Sequence, residues 1–314
     1  MSSSRFAEVR SVETNTTKIG SIHAHQPVLL EAVLRCLAPK PGQTLLDLTA
    51  GYGGHAAAVL EKIGPKGRAT LVDRDGFAVA ALRQRFAGDD RVSVEHDKFS
   101  AAAAKLLSTG RTYDMILLDL GVSSPQFDMA ERGFSIMREG ELDMRMDRSQ
   151  AKSAEGVVNR SSRSELIDIL RRWGEEPAAA KIADAIIAAR PLRSTRELAE
   201  AVERTIHRRQ IHPATRTFQA IRIAVNDELD ELGAVLPLLL QLLAHGGRLA
   251  IISFHSLEDR MVKQFFREQA QGYLAQLQLI TKRPIDGSTH DTQNPRARSA
   301  KLRAAVKINT MERG

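Results

Sequence analysis

At 314 residues, with 43% hydrophobic and 26% charged residues, the chain is long enough for one large globular domain or two, and its composition excludes a disordered or fibrous class. A net charge of +7 favours an anionic partner, nucleic acid first, but 1 Trp, 3 Tyr and 10 Phe are too few for an extended base-stacking platform. The single cysteine, Cys36, excludes an intramolecular disulfide, and no long apolar run suggests a membrane span or signal peptide, so a soluble cytoplasmic protein is expected.

The Ser- and Thr-rich residues 1–24 are expected to form a mobile tail. From His25 a helix with Pro27 at its start runs through Leu37 and carries Cys36 among Val33, Leu34 and Leu37, as a small buried hydrophobe. Pro39-Lys-Pro-Gly42 turns the chain into a first strand at Thr44, which ends in Asp47. Gly51, Gly53 and Gly54 then lead into an Ala-rich helix, a strand-turn-helix able to cradle a nucleotide-like ligand. Two cofactors suit that loop. Gly51-x-Gly53-x-x-Ala56, with Asp73 twenty residues beyond Gly53, satisfies a dinucleotide fingerprint. Asp47-x-Thr49-x-Gly51-x-Gly53 resembles the first motif of S-adenosylmethionine-dependent methyltransferases, in which the acid faces the amino-acid half of the cofactor.

A second strand over 69–72 delivers Asp73 and Asp75, a helix covers 77–86, and a third strand over 91–95 ends at His96-Asp-Lys-Phe99. A fourth, over 113–119, is nearly all apolar and therefore buried on both faces. This alternation predicts an α/β fold, a doubly wound, mostly parallel Rossmann-like sheet with its ligand beyond the C-terminal strand ends. The alternation then stops. Residues 121–140 read as loop, and 153–210 offer only helical patterns, with Ser164 as an N-cap and Ser194-Thr-Arg-Glu197 at capping-box spacing. A small all-helical domain, 131–216, is thus expected between two parts, 25–130 and 217–314, of the α/β domain. Helix resumes at Thr217 and continues through Leu243; a fifth buried strand over 249–254 stops at His255, and Ser256-Leu-Glu-Asp259 caps the next helix. Two more strands are expected near 277–281 and 304–308.

For S-adenosylmethionine, the glycine loop with Gly53, Gly54 and His55 is placed for the methionine end, Asp73 for the ribose hydroxyls and Phe99 for adenine, with Asp97 beside it. Asp119, after the four apolar residues 115–118, faces the expected reacting centre. Attack on cytosine C5 needs a cysteine near that centre, and Cys36 precedes the first strand; zinc deamination needs a His/Cys set that is absent. His23-x-His25 lacks partners at ligand spacing, so no metal is expected. Direct transfer to nitrogen or oxygen remains.

His25-Gln-Pro-Val-Leu-Leu-Glu31, Asp47-Leu-Thr-Ala-Gly-Tyr-Gly-Gly-His55, Leu118-Asp-Leu-Gly-Val-Ser-Ser-Pro-Gln126, Arg132-Gly-Phe-Ser135, Leu142-Asp-Met-Arg-Met-Asp147, Thr217-Phe-Gln-Ala-Ile-Arg-Ile223 and Ser253-Phe-His-Ser-Leu-Glu-Asp-Arg260 occur in this order. Together they resemble the RsmH (MraW) family of bacterial 16S rRNA cytosine-N4 methyltransferases, from His25 to about Arg303. The resemblance implies a class I methyltransferase fold with a helical insertion, S-adenosyl-L-methionine as cofactor, and a target cytosine in the decoding region of the small ribosomal subunit. It implies Gly53, Gly54, His55, Asp73, Phe99, Asp119 and Gln126 as cofactor contacts. Because the N4 lone pair is delocalised into the ring, acceptors that hold its N–H groups are needed. Asp119, the carbonyls of residues 120–123, Asn226 and His255 are the candidates.

Two basic clusters, around Arg208 and Arg209 in the insertion and around Arg296 and Arg298 near the C-terminus, are expected to bind RNA phosphates. Competing readings are an NAD(P)-dependent oxidoreductase, which leaves the Asp119 loop without a task, and a non-catalytic RNA-binding assembly factor. The sequence leaves the oligomeric state open, a homodimer included.

Overall fold

The computed structural model describes residues 26–207 and 211–308; the tail expected over 1–24, His25, Arg208 and Arg209 lie outside the described residues. Strands β1 (Thr44–Asp47), β2 (Arg68–Asp73), β3 (Val92–His96), β4 (Tyr113–Asp119) and β5 (Leu243–Ser253) pair in parallel, in the order β3-β2-β1-β4-β5. The sheet continues antiparallel through three more strands, β6 (Leu277–Leu279), β7 (Ile285–Asp286) and β8 (Lys301–Lys307), with β8 against β5 and both β6 and β7 against β8. This is the class I methyltransferase arrangement. The strand order reverses between β1 and β4, where such sheets bind ligands.

Successive strand residues point to opposite faces. Leu46, Val72, Ile116, Leu118 and Ile251 accordingly enter one core, beneath α4 (Phe99–Ser108), α11 (Glu228–Leu242) and α12 (Ser256–Gln269). Leu45, Leu71, Met115, Leu117 and Ile252 enter the other, with α1 (Leu30–Leu37) and α2 (Gly54–Ile63). The uninterrupted apolar runs of β4 and β5 follow from this two-sided burial. Cys36 is 4% exposed in the second core, as its neighbours on α1 predict.

A third core belongs to the chain between β4 and β5. Phe134, Met144, Val158, Leu166, Leu170, Ile182, Ile186, Leu198 and Val202 meet there, drawn from the segment after β4 and from α6 (Ala154–Arg160), α7 (Arg163–Gly174), α8 (Ala179–Ala188) and α9 (Thr195–Glu203). Phe218, Ile221 and Val225 of α10 (Thr215–Asn226) pack into the same core, so the helical unit runs through Asn226, ten residues past the expected boundary. The single helix expected from Thr217 to Leu243 is broken at Asp227, whose backbone is left-handed (φ 52°), and α11 starts only after it. Gly174 lets α7 and α10 approach, since a Cβ there would lie 2.8 Å from the Arg216 carbonyl oxygen. The cap of α7 is Ser162, paired with Glu165, rather than Ser164. Within the expected 121–140 loop lies the five-residue helix α5 (Ser124–Asp128), too short to leave a periodic pattern.

Candidate active site

A cavity of about 1100 Å³ opens beyond the C-terminal ends of β1, β2, β4 and β5 and extends beneath the helical unit. Its floor is the turn after β1. Gly51 (φ 52°) donates its N–H to Asp73 Oδ2 at 2.7 Å and faces the cavity. Gly53, with φ 78°, is required by the turn and by Phe86, 2.7 Å from any Cβ; it shapes the loop and is not on the cavity surface. Gly54 does line the cavity, and a Cβ on it would strike Pro27, 2.5 Å away.

Asp73 accepts from the N–H of Gly51 and, at 2.8 Å, of Asp75. Burial nonetheless outweighs these donors and pushes its pKa up to about 6. Asp47 is pushed up to about 7 by burial, against the opposing field of His55. At 1% exposure it sits beneath the loop with its carboxylate on Thr49 N–H, not on the cavity surface where an acid facing the cofactor's amino-acid half was expected.

His55, in the first turn of α2, and Asp119, at the end of β4, meet across the cavity floor with Nε2 3.5 Å from Oδ2. Both ring nitrogens of His55 and Oδ1 of Asp119 are buried without a hydrogen-bond partner. Buried polar atoms of this kind call for a ligand that can donate and accept. The ammonium and carboxylate of a methionine moiety do both, and Asp73 and the half-buried Phe99 line the same cavity. These residues fit S-adenosylmethionine.

Gln126 also lines the cavity, but its amide is committed. Oε1 accepts the Ser123 N–H at 2.8 Å, and Nε2 donates to Asp75 Oδ2 at 2.7 Å. The same Asp75 oxygen receives Arg132 Nη1 at 2.8 Å, and Arg132, 1% exposed, also holds the carbonyls of Arg145 and Met146. Asp75 therefore bolts the end of β2 to the segment that leads into the helical unit.

Asn226 is not a group of the reacting centre. It is fully buried off the cavity, with Oδ1 accepting Met146 N–H at 2.8 Å and Nδ2 donating to the carbonyls of Met144 at 2.7 Å and Arg222 at 2.9 Å. Two of these bonds fasten α10 to the preceding loop and the third lies within the helix, and the amide is turned away from the cavity where a base would lie.

His255 stands on the opposite wall as the N-cap of α12, with Nδ1 accepting the Glu258 N–H at 3.4 Å. The cap is thus His255, not Ser256. Glu258 returns the bond through Oε2, which accepts Phe254 N–H at 2.8 Å and His255 N–H at 3.2 Å. His255 Nε2 lies 3.2 Å from Glu258 Oε1 but makes no hydrogen bond. Desolvation would raise the Glu258 pKa, but the His255 side chain and the charge of Arg222 hold it below the usual carboxylate range. Beside it Arg222 grips Glu228 with Nε and Nη2, each at 2.8 Å.

Glu228, His255 and Glu258 bring one ligand atom each within 4.8 Å of one another, a cluster that sequence spacing did not reveal. It is a poor cation site, because Arg222 occupies both Glu228 oxygens and two backbone N–H groups occupy Glu258 Oε2. The His255-x-x-Glu258 capping spacing was available as a signal for Glu258. Arg222 and Glu228 pair across the α10–α11 break, which no local rule anticipates.

Arg296 and Arg298 both reach the cavity rim: Arg296 Nη2 bonds Asp128 Oδ2 at 2.7 Å, and Arg298 is exposed. No helix among the described residues is long and apolar enough to cross a membrane.

Residues 22–308 match the profile of the MraW methylase family. Over 309 residues the chain is 47% identical to the ribosomal RNA small subunit methyltransferase H of Heliobacterium modesticaldum, covering 90% of this chain and 98% of that protein. Its likeness to the protein of the same name from Nitratidesulfovibrio vulgaris is 43% over 326 residues, covering 96% and 90%. The corresponding Trichlorobacter lovleyi protein is 47% identical over 309 residues, covering 90% and 98%.

Proposed function

The chain belongs to the MraW methylase family, and on that premise we propose that it transfers a methyl group from S-adenosylmethionine to the N4 amine of one cytosine in the decoding region of 16S rRNA, within the small ribosomal subunit. The observation that carries this reading is the cavity floor, where the unpartnered atoms of His55 and Asp119 share one cavity with the glycine loop and Asp73.

When bound, the cofactor supplies a sulfonium-activated methyl. The chain's task is to hold donor and acceptor in line. Gly51, Gly54 and His55 take the methionine end, Asp73 accepts the ribose hydroxyls, Phe99 flanks the adenine, and Gln126 completes that wall through its bond to Asp75. Asp119 accepts an N4–H of the cytosine, which turns the nitrogen lone pair toward the methyl and offsets the positive charge that develops on transfer. His255 faces it from the other wall, but its Nδ1 is taken by the Glu258 N–H, so the ring offers a donor at Nε2 and not a second acceptor. Cys36 is buried on α1, off the cavity, and burial raises its thiol pKa, so transfer proceeds directly, without a covalent enzyme intermediate. The helical unit, with Arg208 and Arg209, and the rim residues Arg296 and Arg298 hold the RNA backbone.

Mass mapping of small-subunit rRNA nucleosides from cells with and without the gene tests the reading, together with labelled methyl transfer to unmodified small-subunit particles. Loss of one N4-methylated cytidine, restored by the wild-type protein but not by Asp119→Ala, is the expected result. RNA binding without any methyl transfer would leave a non-catalytic assembly factor instead.

A further inference from the structure

Arg222 is a cavity arginine gripped side-on by a carboxylate while its other edge is left open. Glu228 takes the side-on edge, formed by Nε and Nη2. The end-on edge, Nη1 with the second hydrogen of Nη2, has no protein acceptor among the described hydrogen bonds, although the side chain is only 14% exposed and lines the cavity. A guanidinium fixed in this way presents two parallel donors in a plane set by its partner. Glu258, which feels the charge of Arg222, and Asp119 offer acceptors in the same cavity.

Resting on the methyl-transfer reading above, we propose that Arg222, held by Glu228, identifies the target base by donating from its free edge to cytosine O2 and N3, while N4 turns to the carboxylates. The edge of cytosine runs acceptor, acceptor, donor from O2 through N3 to N4, and this wall offers donor, donor, acceptor. Uracil runs acceptor, donor, acceptor, so its N3–H would meet an arginine N–H, and its O4 would meet a carboxylate. A site built on fixed hydrogen bonds rejects such an analogue strongly because its own buried groups are left unpaired. Arg222 is therefore a specificity-determining residue, and Glu228 positions it.

The test uses the full chain and unmodified small-subunit particles that carry cytidine, uridine or 3-deazacytidine at the methylated position, with affinity measured for each. Wild-type protein should bind the cytidine particle about tenfold or more tightly than either analogue, the discrimination of one good bidentate base contact. In Arg222→Leu/Glu228→Leu, which removes both charges together, the three affinities should converge. A folding role alone would weaken all three particles equally and keep their ratios, and that outcome overturns the proposal. Should the double variant not fold, the 3-deazacytidine measurement on wild-type protein decides by itself, because equal affinity for cytidine and 3-deazacytidine excludes the N3 contact. Failure of the underlying reading has a different signature, no methyl transfer to the cytidine particle at all.

Discussion

Acidification below about pH 6 is expected to weaken S-adenosylmethionine binding about tenfold per pH unit, through Asp73. Its carboxylate is held at 2.7 Å and 2.8 Å by two backbone N–H groups, yet burial sets its pKa at about 6. Only the ionised form is a full acceptor for ribose hydroxyls, and at about pH 5 roughly a tenth of a group with that pKa is ionised. Folding stability moves the other way. In the unfolded chain an aspartate titrates near about 3.9, so between about pH 4 and 6 the native state holds a proton that the unfolded state has lost. The ligand-free protein therefore loses about 3 kcal/mol from this residue as pH rises through that window, two units at about 1.4 kcal/mol each. Asp47, with its pKa near 7, extends the same trend upward. Titration calorimetry in buffers of different ionisation enthalpy, paired with urea denaturation, measures both slopes. In Asp73→Asn the affinity at pH 8 should fall by about 1.5 to 3 kcal/mol and its dependence on pH should flatten. Wild-type affinity that stays level from pH 5 to 7, or an unchanged slope in Asp73→Asn, refutes the assignment.

Asn226→Ala should cost about 2 kcal/mol or more of stability, because the buried Met146 N–H and Met144 carbonyl lose their partners, while turnover per folded molecule persists. Denaturant melts and active-site titration separate the two effects, and a fully stable but inactive variant would restore Asn226 to the chemistry. Gly54→Ala places a methyl group 2.5 Å from Pro27 and should push residues 26–28 off the cavity, weakening cofactor binding at least several-fold; unchanged calorimetric affinity would show that this wall does not touch the cofactor. Arg298→Ala should lower affinity for small-subunit particles, reduce the salt slope by about one and leave cofactor affinity alone. An identical slope would move the RNA path elsewhere.

The sequence by itself determined the sheet and the glycine turn at the cavity floor, because those features are written locally. Four apolar runs, ended by Asp47, Asp73 or Asp119 or followed by His255, locate their strand ends, and the alternating Val92-Ser-Val segment before Phe99 marks the remaining one. Glycines at positive φ mark the turn between β1 and α2. Ordered motifs spread along the chain carried the family.

What only the tertiary structure decided depends on contacts between distant segments. Asn226 is a polar residue on an amphipathic helix in sequence terms. Its structural role exists because Met144 and Met146, some eighty positions earlier, offer backbone groups that must be paired once buried. The end of the helical unit was misplaced for a related reason: a strained residue, Asp227, breaks a pattern that is continuous in hydrophobicity. Arg132 on Asp75 is a buried ion pair across 57 positions, and Arg222 on Glu228 a partly buried one across 6. Charge attraction has no sequence period, so such pairs become visible only when folding removes water from around them and requires each charge to find its partner.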